Sequence, residues 1–282
     1  MLPGILGAGV TQLNLAVDVV IASLMPVGAL SLLYYADRVA QLPLGVIGAA
    51  IGTALLPALA RHLSAGKTLS AHRAMNRALE ITLALALPAA LALMVLALPI
   101  ITVLFQRGAF TAGNAADAAV VLVAYATGLP AFIAVKALAP GFFARGDTRT
   151  PVIIGLVCVA TNLGLNLGFL WFTALGAPGI ALATSIAAWV NAGALAWLLR
   201  RRRLWRADRR LRRAAPRIMG SAVVMALVLA GLLLAWPVGA GLSGAGALAV
   251  ICAIGAGSYA ACVQFSGGLH LGNTWRALRR RA

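Results

Sequence analysis

The chain has 282 residues, of which 62% are hydrophobic and only 10% charged. A soluble domain carries about 25% charged residues, so this composition excludes a soluble globular protein. The formal net charge of +17 would point to nucleic acid in a soluble chain. Here the basic residues fall in short loops between apolar runs, where membrane topology and anionic headgroups account for them, and no nucleic-acid partner is expected.

Several runs reach the roughly 20 apolar residues that cross a bilayer. The pattern predicts an all-α, polytopic membrane protein with about eight transmembrane helices. The first span covers Pro3 to Met25, with Thr11, Asn14 and Asp18 forming one polar stripe. Met1-Leu2-Pro3 has no basic n-region and no cleavage site follows, so no signal peptide is expected. After a turn at Met25-Pro26-Val27-Gly28, the second span runs to Ala60 and exceeds what a bilayer needs, so it should tilt, bend near Pro43 or project beyond the lipid.

That second span holds Tyr34-Tyr35-Ala36-Asp37-Arg38, an acid and a base at the start of a long apolar run. Ionisable groups inside a span cost roughly 2.5–3.5 kcal/mol each on insertion scales, so they face a polar cavity or a partner. At helical spacing Arg38, Gln41, Gly45, Gly48 and Gly52 share one face, charged at one end and nearly bare at the other. Such a face either lines a space or packs closely against a neighbour, with Asp37 and Arg38 neutralising each other.

Arg61, His62, Lys67, His72, Arg73 and Arg77 read as a basic loop. A third span, Ala78 to Phe105, carries Pro88 and Pro99 and should kink there. The fourth, Asn114 to Phe143, contains Lys136, deep enough to need a carboxylate or a solvated cavity. In the loop Ala144 to Pro151, Thr148 or Thr150 can cap the fifth span. That span runs to Thr173 and places Asn162 and Asn166 one turn apart. Gly176-Ala177-Pro178-Gly179 reads as a tight turn, and the sixth span ends at Leu199. Two more spans follow, Ile218 to Trp236 and Leu242 to Phe265, then a basic tail. With alternate loops on opposite sides, about twenty of the 23 Lys and Arg lie with the termini, which places both ends in the cytoplasm.

No nucleophile–base set, paired carboxylates or phosphate loop occurs, so no enzyme is expected. Cys158, Cys252 and Cys262 lie in apolar runs without ligand spacing, and neither a disulfide framework nor a metal site is expected. The remaining polar groups within spans are Asn14, Asp18, Asp37, Arg38, Gln41, Lys136, Asn162 and Asn166. They suit a hydrated path or cavity for an anionic solute. Interhelical hydrogen bonding explains the asparagines equally well, and the two unbalanced cations poorly.

Several motifs in order resemble the C-terminal part of the bacterial lipid II flippase family (MurJ, also MviN), within the multidrug/oligosaccharidyl-lipid/polysaccharide exporter superfamily. They are Gln12 to Asp18, Tyr34 to Arg38, Leu42 to Val46 with Gly52-Thr53 and Leu56-Pro57, Leu104 to Phe110, Lys136 to Pro140 and Ala144 to Pro151. The resemblance covers essentially the whole chain and thins over the last two spans. It implies fourteen spans in the complete family fold, so this chain would hold the second six-helix lobe (1–200), a basic cytoplasmic linker (201–217), two additional helices (218–266) and a basic tail (267–282).

The resemblance implies a transporter that moves undecaprenyl-diphosphate-linked disaccharide-pentapeptide outward across the inner membrane by alternating access. Arg38 matches the lobe's functional arginine and, with Lys136 and Gln41, would meet the substrate. Asp18, Asp37 and Asn14 would tune charge or couple a cation, while Gly45, Gly48, Gly52, Asn162 and Asn166 would line the cavity. No cofactor is expected beyond a coupling cation or the membrane potential. Partners would be the lipid substrate, the bilayer, and a separate first lobe or a homodimer. An exporter of another polyprenyl-linked glycan, or a non-transporting scaffold lacking the first lobe, remain the alternatives.

Overall fold

The computed structural model describes residue 12 and residues 16–26, 28–173, 175–236 and 238–267. Residues 16–23 form α1, and the rest of the first expected span lies outside the described residues, as do Asn14 and nearly all of the basic tail. There follow α2 (Ala29–Ser64), α3 (Thr68–Val95), α4 (Ala97–Phe105), α5 (Ala112–Leu138) and α6 (Pro140–Phe143). Then come α7 (Arg149–Phe172), α8 (Ala177–Arg201), α9 (Arg209–Ala235) and α10 (Leu242–Phe265). No strand occurs among the described residues. Seven helices there are long and apolar enough to cross a membrane, with α5 and α6 together making one of them.

Helix α5 is the axis of the bundle. It packs against α2, α3, α4 and α8, while α7 leans on α8 and the α9–α10 pair docks on α3. The α5–α8 crossing is tight because Gly128 has no side chain. A Cβ there would lie 2.7 Å from Cα of Ser185. Ser185 Oγ donates to the Ala124 carbonyl at 2.7 Å, and Trp189 Nε1 donates to that of Thr127 at 3.0 Å.

Prolines set the breaks. Pro99 has no N–H for the Val95 carbonyl, and the helix divides at Leu96, so the expected third span is α3 followed by α4. Pro140 starts α6 in the same way. Pro43, Pro57, Pro88 and Pro130 lie inside continuous helices.

Several expected boundaries are corrected. The basic loop from Arg61 to Arg77 is helix on both sides of a short turn at 65–67. Helix α2 has 36 residues, about 54 Å at the standard rise, so its charged end extends past the about 30 Å hydrocarbon core. The turn Gly176-Ala177-Pro178-Gly179, closed by Gly179 N–H donating to the Gly176 carbonyl at 3.0 Å, is at once the first turn of α8, which begins at Ala177. Asp147, not Thr148 or Thr150, takes the capping role at α7: Thr150 N–H donates to its Oδ1 at 3.0 Å. Helix α9 starts at Arg209, inside the segment read as linker, because Asp208 caps it by accepting from Leu211 N–H at 2.7 Å.

Candidate functional site

The polar face of α2 is built as its periodicity requires. Arg38 is exposed, and its guanidinium carbon stands 4.8 Å from the centroid of the Tyr34 ring one turn earlier. Gln41 donates through Nε2 to Asp37 Oδ2. Asp37 therefore takes Gln41 as its hydrogen-bond partner, and no ion pair joins it to Arg38 among the described residues.

Beyond Gln41 the face opens. A Cβ placed on Gly45 or Gly52 would meet nothing within 4 Å. At Gly48 the nearest atom is Cγ of Lys136, 3.5 Å from that position. Lys136, on α5, thus lays its stem across α2 and keeps its end exposed. Gly48 is ten residues along α2 from Arg38, a separation of about 15 Å on a helix. The two cations occupy successive levels of one face rather than a single pocket. Neither is in an ion pair among the described residues.

A second polar cluster joins α1, α7 and α8. Asn166 Nδ2 donates to Asp18 Oδ1 at 2.9 Å and to Asn162 Oδ1 at 3.1 Å. Asn162 Nδ2 donates to Thr184 Oγ1 at 3.0 Å, and that hydroxyl stands 3.0 Å from Asp18 Oδ2. Both asparagines are essentially inaccessible, at 0% and 1% exposure. They sit in an interhelical hydrogen-bond network, separate from the glycine face of α2. Asn14 lies outside the described residues.

Thr184 was not among the polar groups that the sequence singled out. A hydroxyl in an apolar helix bonds readily to its own backbone, here the Ile180 carbonyl at 3.0 Å, so it gives no distinct signal. Asn76, Glu80 and Trp205 also escaped, because they had been assigned to loop and span margins. Among the described residues no group of three or more His, Cys, Asp or Glu could hold a metal.

A family model described as "Lipid II flippase MurJ" matches residues 1–242. A probable lipid II flippase MurJ of Rhizobium meliloti (strain 1021) is 46% identical over 228 residues, covering 81% of this chain and 42% of the relative. Its counterpart in Rhizobium tropici is 40% identical over 285 residues, covering 99% of this chain and 53% of the relative. A solved lipid II flippase MurJ in an inward closed conformation superposes with a TM-score of 0.76 at 25% identity, over 91% of this chain and 51% of that one. A MATE transporter solved in complex with MaD3S matches with a TM-score of 0.59 at 17% identity, which speaks to the fold alone. The chain spans about half the length of the curated relatives it matches.

Proposed function

Because the chain belongs to the lipid II flippase MurJ family, we propose that it forms one lobe of a flippase for undecaprenyl-diphosphate-linked peptidoglycan precursor. The complete transporter works by alternating access in the bacterial inner membrane, with both ends of this chain cytoplasmic, and performs transport rather than bond chemistry. One observation carries the reading: Arg38, and Lys136 reaching over from α5, stand without ion pairs among the described residues at an α2 face that is open above Gly45 and Gly52. Unbalanced cations in a span are costly unless they meet solvent or an anionic ligand. A guanidinium grips a diphosphate through paired N–H donors, and an ammonium adds a point charge deeper along the face. Gln41 holds Asp37 away from Arg38.

The Asp18 cluster is proposed to hold the coupling cation. The carboxylate, two asparagine oxygens and the Thr184 hydroxyl are a hard-oxygen set, which suits an alkali cation. Oδ1 of Asn166 is buried without a hydrogen-bond partner among the described residues, a lone pair suited to a cation. When bound, the ion would neutralise Asp18 and draw α1, α7 and α8 together.

The test uses transport in a full-length family context. Arg38→Ala should abolish flipping, Arg38→Lys should restore part of it, and Arg107→Ala at the opposite turn should leave it largely intact. Equal tolerance of alanine at Arg38 and Arg107 would remove the substrate role. This chain alone should insert but not flip, because rocking needs a second repeat against which to move. Co-expression of a separate first lobe should restore complementation of a flippase-depleted bacterium. Complementation by the chain alone, with Arg38 required, would favour a homodimer. Absence of rescue even with the first lobe would favour the scaffold reading.

A further inference from the structure

Residues 202–210 lead from the α8 end into the first turn of α9, and five of the nine are held by partners on other elements. Arg202 donates to Asp147 Oδ2 at 2.7 Å and reaches Thr150 Oγ1 at 3.2 Å. The Leu204 carbonyl accepts from Arg145 Nη2 at 3.0 Å. Trp205 is buried and donates through Nε1 to Asn76 Oδ1 at 2.8 Å, while Asn76 Nδ2 donates to the Arg206 carbonyl at 3.0 Å. Arg210 pairs with Glu80 at 3.1 Å, and Arg77 approaches the same carboxylate at 2.5 Å. Glu80 is only 2% exposed.

The pattern has two anchors. Asn76 and Glu80, one turn apart, share a face of α3, and Arg145, Asp147 and Thr150 lie where α6 passes into α7. The strand of chain between them bends at Arg203, which has φ 57°, the one described non-glycine residue at positive φ. It marks the end of α8, where the Leu204 and Trp205 amides donate back to the Leu199 carbonyl. A loop that merely connected two spans would be solvated and free of such ties. Farther along, the Tyr259 hydroxyl donates to the Ala84 carbonyl at 2.6 Å, and Ala84, Leu87, Ala214, Ile218, Ala222 and Val263 form an apolar seam.

We propose that residues 202–210 are a clasp that fastens the α9–α10 pair to α3 and to the α6–α7 corner, so that these elements move as one rigid body. The Arg145-Gly146-Asp147-Thr148-Arg149-Thr150 motif supplies one half of the clasp, and Asn76 with Glu80 the other. None of the described side-chain hydrogen bonds ties α2 into it, and α2 meets α3 and α5 through apolar packing.

The test is double electron–electron resonance on the full chain, in nanodiscs, with its three native cysteines replaced. Spin labels at Arg73 on α3 and Arg213 on α9 report the clasp, and labels at Val120 and Val190 report the α5–α8 core. The parent should give one narrow Arg73–Arg213 distance. Asn76→Ala and Glu80→Gln should each broaden it while the Val120–Val190 distance stays narrow. Amide exchange across 205–212 should then accelerate about tenfold, as expected for loss of local protection. Glu80→Gln preserves shape and decides the matter should Asn76→Ala fail to fold. Two peaks in the parent, unchanged widths in the variants, or equal broadening of both pairs would overturn the clasp.

Discussion

Cγ of Lys136 stands 3.5 Å from the place a Cβ would take on Gly48, so a cation from α5 rests on a gap in α2. That spacing is an ordinary van der Waals contact, so Gly48→Ala should be neutral or stabilising, by up to about 1 kcal/mol. Gly48→Leu must push the lysine stem aside and should cost about 1–3 kcal/mol. Thermal unfolding in detergent checks both, and equal stability would show that Lys136 is not seated there.

Gly128 presents the opposite case. A Cβ there would meet Ser185 backbone at 2.7 Å, and backbone within a packed helix cannot step aside. The gain of about 1 kcal/mol in helix propensity from Gly to Ala is outweighed by overpacking of about 1–3 kcal/mol or more. Gly164, on α7, meets nothing within 4 Å, so Gly164→Ala should be neutral or stabilising. The two variants compared in one unfolding series give opposite signs.

The Asp18 network gives a cation test that needs no substrate. Sodium chloride should raise the unfolding temperature above that in choline chloride at equal ionic strength. A site held at a hundred times its Kd contributes about 2.7 kcal/mol. Asp18→Asn should abolish the difference, and Asn166→Ala should reduce it while costing about 1–3 kcal/mol for the partners left unpaired. The same response to both salts in the parent would dismiss the cation.

Asp147 sets a pH dependence at the clasp. Burial alone would raise its carboxyl, but the Thr150 amide and hydroxyl and the Arg202 guanidinium outweigh it and hold the group below its ordinary 3.8. A lowered folded value means the unfolded chain takes up the proton first. The contribution is therefore complete above 3.8 and fades as pH falls through the lower folded value. Both side chains are partly exposed, at 47% and 28%, so the ion pair contributes at most about 1 kcal/mol. The stability gap between the parent and Asp147→Asn should stay constant from about pH 5 to 8 and close only in stronger acid.

The proposed orientation rests on the loop charges, and the structure groups the turns that should share a side. The turns holding Gly66, Gly146 and Ala207 lie at the clasped end, where Arg202 meets Asp147 and Asn76 meets Arg206. At the other end Tyr35 packs on Phe105 and Phe110 with ring centroids 4.7 and 5.2 Å apart. Single cysteines at Gly66, Gly146 and Ala207 should resist impermeant thiol reagents on intact cells. Cysteines at Gly113 and Gly241 should react. Labelling of Ala207 from outside would invert the topology.

Apolar run length and the grouping of arginines determined, by sequence alone, that this is a helical membrane protein, because a bilayer accepts little else. The α2 face was equally legible: Arg38, Gln41 and the three glycines align by helical period, a local property. Only the tertiary structure decided where Lys136 falls along that face, since its level depends on how α5 crosses α2. It also decided that Asn162 and Asn166 turn to Asp18 and Thr184, partners more than 20 residues away. The stretch from Arg61 to Arg77 read as loop because hydropathy reports the lipid boundary, whereas helix continues past it wherever backbone hydrogen bonds do. Glu80 and Trp205 were invisible for the same reason. A buried carboxylate at a span's edge looks like an ordinary interfacial charge until the chain folds Arg210 back onto it.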